Sequence, residues 1–372
     1  MLLLFLGLAS GCASIDTGFD DSKREELINT VLGNVPIEPD APILVLDPEV
    51  KAKLDERIGS TSDRNKLTQL RLFLFDENEL ALRYQADNTR TAMEIWESRA
   101  GNCLSLTNLF IAAARHVGLD AHYKTVAIRP TWDHDGATMI RYEHIIATGQ
   151  LSGGQEYVVD FLPEFVIGGR RSEQITDKQA LALYFNNKGA EHIIAGDHGT
   201  AIENLRHALT LNPRFGDAWN NLGAALRREG QLKLAEYAYQ YAIEIDANNF
   251  SAMNNLAQFY VSQGREVEAI DIGKRVARYR QRNPYFLYFI AQRFYEQGRW
   301  DEAITLLERS VALKRDEPDF YEAIATSYDQ LGNEQQRDEY LALARQYREA
   351  VGIRNVPRER GHRFWIQTLN IN

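Results

Sequence analysis

Residues 101–119 read GNCLSLTNLFIAAARHVGL and place Cys103, one of the chain's two cysteines, at the front of an amphipathic run. Behind it Leu106, Phe110, Ala114 and Val117 recur at three- and four-residue spacing, which predicts a helix with one buried face. Gly101 and Asn102 supply a turn and an N-cap before it. A thiol at a helix start meets unpaired amides and the positive end of the helix dipole, which favour the reactive thiolate. A small apolar residue filling a core is the competing reading of the same position.

Downstream the hydrophobic period changes. HYKTVAI (122–128), MIRYEHIIAT (139–148) and QEYVVDF (155–161) are short and rich in Val, Ile and Tyr, as strands are. RPTWDHDG (129–136) and GQLSGG (149–154) read as turns between them. Upstream, LTQLRLFLF (67–75) and TRTAMEIWES (89–98) predict helical segments within 62–98. Helices leading into an antiparallel sheet make an α+β module. In it His144 lies on one strand and Asp160 at the end of the next; a hairpin of the two would bring them side by side. Cys103, His144 and Asp160 would then supply nucleophile, base and orienting carboxylate.

The order RAGNCLSLTNLFIAAARHVGLDAHY, EHIIAT, EYVVDF resembles the transglutaminase-like superfamily, a relative of the papain-fold peptidases. The resemblance implies Cys103 as nucleophile, His144 as general base and Asp160 as the residue that orients it, with no cofactor or metal. The implied chemistry is attack on an amide through a thioester, with hydrolysis by a peptidase or amidase expected. Transfer to a second amine is an alternative. The backbone N–H of Cys103 is one oxyanion donor, and Trp96 is either the second or a core tryptophan. Ile145 and Ile146 follow the histidine where many active members have a small residue and then Trp. That departure keeps open a catalytically silent, protein-binding scaffold.

The second half of the chain is periodic. GDAWNNLGAALRREGQLKLAEYAYQYAIEIDANN (216–249) repeats with a period of 34, in units starting near 182, 216, 250, 284 and 318. Gly189, Gly223, Ala257, Ala291 and Ala325 stand at one position of the unit, and Gly230, Gly264, Gly298 and Gly332 close four first helices. Small residues return at Ala201, Ala235, Ala269 and Ala303, and bulky ones at Leu226, Tyr260, Phe294 and Tyr328. The pattern resembles tetratricopeptide repeats, in which alanines allow close helix approach and aromatics fill the gaps. The resemblance implies an all-α superhelix whose concave face binds a protein or peptide. An array that only braces the first module is the alternative.

The N-terminus, MLLLFLGLASGC, has about nine apolar residues, too few to span a bilayer, then small residues and Cys12. It resembles a bacterial lipoprotein signal. That implies lipidation of Cys12 and an anchored chain in the cell envelope; with Ala13 in place of Asp, the expected site is the outer membrane facing the periplasm. Cys103 would then be the sole thiol, with no disulfide mate. The net charge of -10, without a basic block, argues against nucleic acid as a partner. The expected organisation is a signal peptide over 1–11, a tether over 12–45, the transglutaminase-like domain over 46–178, about five repeats over 179–351 and a tail or cap over 352–372.

Overall fold

The computed structural model describes residues 19–33, 42–85, 88–126, 132–135, 138–141, 144–161, 172–350 and 365–369. The signal segment, Cys12 and residues 351–364 lie outside the described residues. Among the described residues the first elements are α1 (Asp21–Leu32), α2 (Pro48–Ile58), α3 (Asp63–Phe75), the two-residue strand β1 (Arg83–Tyr84) and α4 (Ala92–Ser98). A short β2 (Ala100–Gly101) leads into α5 (Cys103–His116). The strands β3 (His122–Val126), β4 (Trp132–Asp135), β5 (Thr138–Arg141), β6 (His144–Gln150), β7 (Glu156–Asp160) and β8 (Ser172–Ile175) follow.

Local chemistry sets the helix ends around Cys103. Thr91 caps α4 in a reciprocal box with Glu94: the Glu94 N–H donates to Thr91 Oγ1, and the Thr91 N–H to Glu94 Oε2. Arg99 stops that helix in the left-handed region at φ 61°, and Asn102 caps α5 by accepting from the Ser105 N–H. Between them β2 passes so close to α4 that a Cβ on Gly101 would lie 2.2 Å from Ile95 Cδ1 and 2.9 Å from Ser105 Cβ.

Helix α5 buries more than the single face its spacing predicts. Every residue from Leu104 to Ala114 is buried, while Cys103 at its start is half-buried. The reason is tertiary: α2, α3 and α4 pack on one side of α5 and the strands on the other, so it is the central helix of the module. Phe110 meets Tyr157 and Phe161 there, with ring centroids 6.4 and 6.3 Å apart.

The five-stranded antiparallel sheet has the order β8-β3-β6-β7-β9, in which β9 (Trp365–Leu369) comes from the C-terminal end and pairs with β7. Two expectations need correction. MIRYEHIIAT is not one strand: Thr138–Arg141 pairs with Trp132–Asp135 as a separate hairpin, and β6 begins at His144. Trp132–Asp135 is accordingly a strand rather than part of a turn. Residue preference marks extended chain but does not choose its partner, and here one apolar run is divided between two sheets.

Helices α6 (Asp177–Ala195), α7 (His198–Leu211), α8 (Gly216–Arg228), α9 (Leu232–Ile245) and α10 (Phe250–Ser262) begin the repeat array. It continues with α11 (Glu266–Arg282), α12 (Pro284–Glu296), α13 (Trp300–Leu313), α14 (Pro318–Gln330) and α15 (Glu334–Ala350). They pack as successive antiparallel pairs. Ala201, Ala235, Ala269 and Ala303 are buried, as are Leu226 and Tyr260. Gly230, Gly264, Gly298 and Gly332 have φ between 69° and 75°, the left-handed turn after each first helix.

Two features of the array were not expected. The tether region contains a docked helix: Leu27 and Val31 of α1 are buried against α7 and α9, and Arg24 Nη2 lies 2.7 Å from Glu244 Oε1. Leu27, Ile28, Val31 and Leu32 form an apolar stripe, but a stripe this short does not announce what it docks on. Helix α6 serves both modules. Its Ala180 and Leu181 join the core around α5, and Ile193 joins the core of the repeats. Arg115 at the end of α5 grips Asp177 at the start of α6 with two hydrogen bonds, of 2.6 and 2.9 Å.

Candidate active site

Cys103 is the first residue of α5, His144 the first of β6 and Asp160 the last of β7. The hairpin brings the latter two together through its register. Ala147 pairs with Val159 and Thr148 with Val158. Continuing that register sets Asp160 across from Ile146, which makes His144, two residues along on the same face, its diagonal neighbour. His144 Nε2 lies 2.7 Å from Asp160 Oδ1, and the two residues are 1% and 3% exposed. A carboxylate can only accept, so Nε2 carries the proton and Nδ1 is the nitrogen left to face a nucleophile.

Cys103, at the start of α5, is the neighbour on that side, and its side chain favours the charged imidazole. Burial is the largest influence on the imidazole and works against its charge. The hydrogen bond the ring donates to Asp160 and its interaction with Cys103, with the charges of both, outweigh burial and push His144 up to about 9. A nucleophile, an imidazole and a buried carboxylate thus stand in series at the ends of three different elements. That arrangement can pass a proton between sulfur and a leaving group while the carboxylate keeps the ring in one orientation.

Three other histidines are engaged elsewhere. His116 meets Asp55 at 2.9 Å, His122 meets Asp120 at 2.7 Å, and His207 stacks on Phe185. Trp96 is buried beside Phe73, with the Arg99 guanidinium 5.1 Å from its ring centroid, and so is a core tryptophan. Among the described residues no group of three or more His, Cys, Asp or Glu side chains is placed to hold a metal ion.

Sequence reasoning missed a polar network under the first turn of α5. Asn108 is fully buried, accepts from the Tyr123 hydroxyl at 2.7 Å and donates to the Arg90 carbonyl at 3.1 Å. An asparagine inside an otherwise apolar helical run was the available signal. A second missed pattern is Asn-Asn at 186–187, 220–221 and 254–255, repeated at the period of 34. Asn221 donates to Asn186 and Asn255 to Asn220, at 3.0 and 2.9 Å, in a polar row across the first helices of three repeats.

The transglutaminase-like superfamily model matches residues 52–159, which span α5, the strand carrying His144 and all but the last residue of β7. A tetratricopeptide-repeat model matches 189–250, and that of the anaphase-promoting complex, cyclosome, subunit 3 matches 228–336. The chain is a transglutaminase-like domain followed by tetratricopeptide repeats. It is 36% identical over 75 residues to small glutamine-rich tetratricopeptide repeat-containing protein 2 of Mycosarcoma maydis, covering 20% of this chain and 21% of that protein. The HSC co-chaperone sgt12 of Aspergillus fumigatus is 32% identical over 69 residues, 18% of this chain and 20% of that one. The chain therefore spans about a fifth of the length of these curated relatives. MamA of Desulfovibrio magneticus RS-1 aligns over 47% of this chain and 97% of its own, at 13% identity and a TM-score of 0.26.

Proposed function

We propose that the transglutaminase-like domain is a cysteine hydrolase, a peptidase or amidase, with Cys103 as nucleophile, His144 as base and acid, and Asp160 as the group that orients His144. The observation that carries this reading is the buried 2.7 Å contact of His144 with Asp160, with the half-buried Cys103 near enough to favour the charged imidazole. The thiolate attacks the amide carbonyl carbon, and the oxyanion that forms is met by the Cys103 backbone N–H in the first turn of α5. His144 gives its proton to the nitrogen, the C–N bond breaks, and a thioester and a free amine result. Water then attacks the thioester, losing a proton to His144; the C–S bond breaks, a carboxylic acid leaves, and the thiolate beside the protonated His144 is restored. Substituting Cys103→Ala is expected to abolish amide turnover while leaving the circular dichroism spectrum unchanged; turnover that persists in this variant would overturn the assignment.

The repeats recruit the protein or peptide partner. Their likeness to repeats of a co-chaperone supports protein binding. The chain is tethered by lipid on Cys12 to the outer membrane, facing the periplasm; the support is the apolar run ending in Ala-Ser-Gly-Cys. Among the described residues no helix is long and apolar enough to cross a membrane. The mass of the mature N-terminus tests the anchor.

A silent scaffold is the second reading, and one observation favours it: Ile145 and Ile146, which replace the usual small residue and Trp, are both buried beside His144. Peptide-resolved alkylation separates the two. A Cys103 that reacts faster than a free cysteine supports the enzyme, and an inert one supports the scaffold.

A further inference from the structure

The residue that caps the nucleophile's helix is itself held from the repeat module. Asn102 is 9% exposed and has two chemically different ends. Its Oδ1 accepts from the Ser105 N–H at 3.0 Å and from the Ser105 hydroxyl at 2.8 Å, which caps α5 one residue before Cys103. Its Nδ2 donates to Thr89 Oγ1 at 2.8 Å. The Ser105 N–H can only donate, so it turns the oxygen toward the helix, and the bond to Thr89 anchors the other end of the carboxamide. Thr89 is 2% exposed and lies in neither helix nor strand. Its backbone N–H donates to Glu191 Oε1 at 2.5 Å. Glu191 belongs to α6, the helix shared by both cores, and its other carboxylate oxygen is held by Lys188 at 3.1 Å. The Arg90 N–H closes the network by donating to the Ser105 hydroxyl at 2.7 Å.

We propose that Glu191 and Thr89 are positioning residues for Cys103, acting through the Asn102 cap, so that the first repeat is part of the mount of the nucleophile. The inference rests on the assignment of Cys103 as nucleophile. Its physical content is a chain of four contacts, from the carboxylate of Glu191 through the Thr89 loop and the Asn102 amide to the first turn of α5. Each contact has one permitted direction. Glu191 accepts, the Thr89 hydroxyl accepts from Asn102, and Asn102 accepts from Ser105. Losing the Glu191 or the Thr89 contact removes the anchor of the Asn102 side chain, which weakens the cap and lets the first turn carrying the thiol loosen. A device of this kind makes reactivity at Cys103 depend on the seating of the repeats.

The test is the rate of Cys103 alkylation by iodoacetamide in the full-length chain, read by peptide mass so that Cys12 is counted separately. The measurement needs no turnover, so it can fail independently of the hydrolase assignment, which is decided by turnover in Cys103→Ala. Glu191→Ala is expected to slow alkylation of Cys103 about tenfold, short of the hundredfold that a 1 Å misplacement costs. Glu191→Gln keeps an acceptor for the Thr89 N–H and is expected to restore the wild-type rate. Thr89→Val is expected to match Glu191→Ala, and Thr89→Ser to restore the rate. The double variant is expected to be no slower than Thr89→Val alone, because both substitutions break one series. Glu191 is part-exposed, so its variants keep the fold even where those at Thr89 do not. An unchanged or faster rate in Glu191→Ala, or a Glu191→Gln as slow as Glu191→Ala, overturns the proposal.

Discussion

His144 and Asp160 stand sixteen residues apart in the chain and 2.7 Å apart in space, diagonal to each other across a hairpin and almost wholly excluded from water. The β6–β7 register makes them neighbours, and burial makes the contact strong, since little solvent competes with it.

The raised value of His144 has a direct consequence for stability. The imidazole stands near 6.5 when unfolded and about 9 when folded, so the folded chain binds the proton more tightly. The stabilisation is fully present below pH 6.5 and is lost as pH rises through about 9. Its size is on the order of a few kcal/mol. Urea midpoints measured from pH 6 to 10 are expected to fall across that window, and His144→Gln is expected to remove the slope.

Catalysis is expected to follow the same group. As pH rises through about 9 the imidazolium that protonates the leaving amine disappears, and kcat is expected to decline with it. Asp160→Asn keeps the side-chain shape but removes the charge that helps hold the proton on His144. It is expected to shift the alkaline limb below 9 and to lower kcat on the order of a thousandfold. A limb left in place would assign it to another group.

Helix α1 offers a test of the docked N-terminal segment. Leu27 is fully buried against the repeats. Leu27→Asp would force a carboxylate into that contact, at a cost of roughly 3 kcal/mol, which releases the helix rather than unfolding the array. Tryptic cleavage after Lys23 and Arg24 is expected to accelerate by about a hundredfold. Alkylation of Cys103 is expected to stay as in the wild type.

Much of the architecture was legible because it rests on short-range regularity. The repeats show in the sequence since each helix pair buries itself on its neighbour and so meets the same packing problem every 34 residues. The helix behind Cys103 and the strands bearing His144 and Asp160 show for a similar reason: spacing of apolar residues and turn residues is local information. The hairpin that joins His144 to Asp160 also follows from two adjacent strands and a glycine-containing turn.

What the tertiary structure alone decided concerns partners distant in sequence. It divided 139–148 between two sheets, buried α5 on all sides, set Leu27 on α7 and α9, and brought β9 onto β7. It also placed Glu191 of the first repeat on the Thr89 amide, 102 residues away, and through it on the cap of Cys103. Periodicity records which side of a segment must leave water. It carries no record of which surface will cover that side, because this depends on the shapes of all the segments packed together.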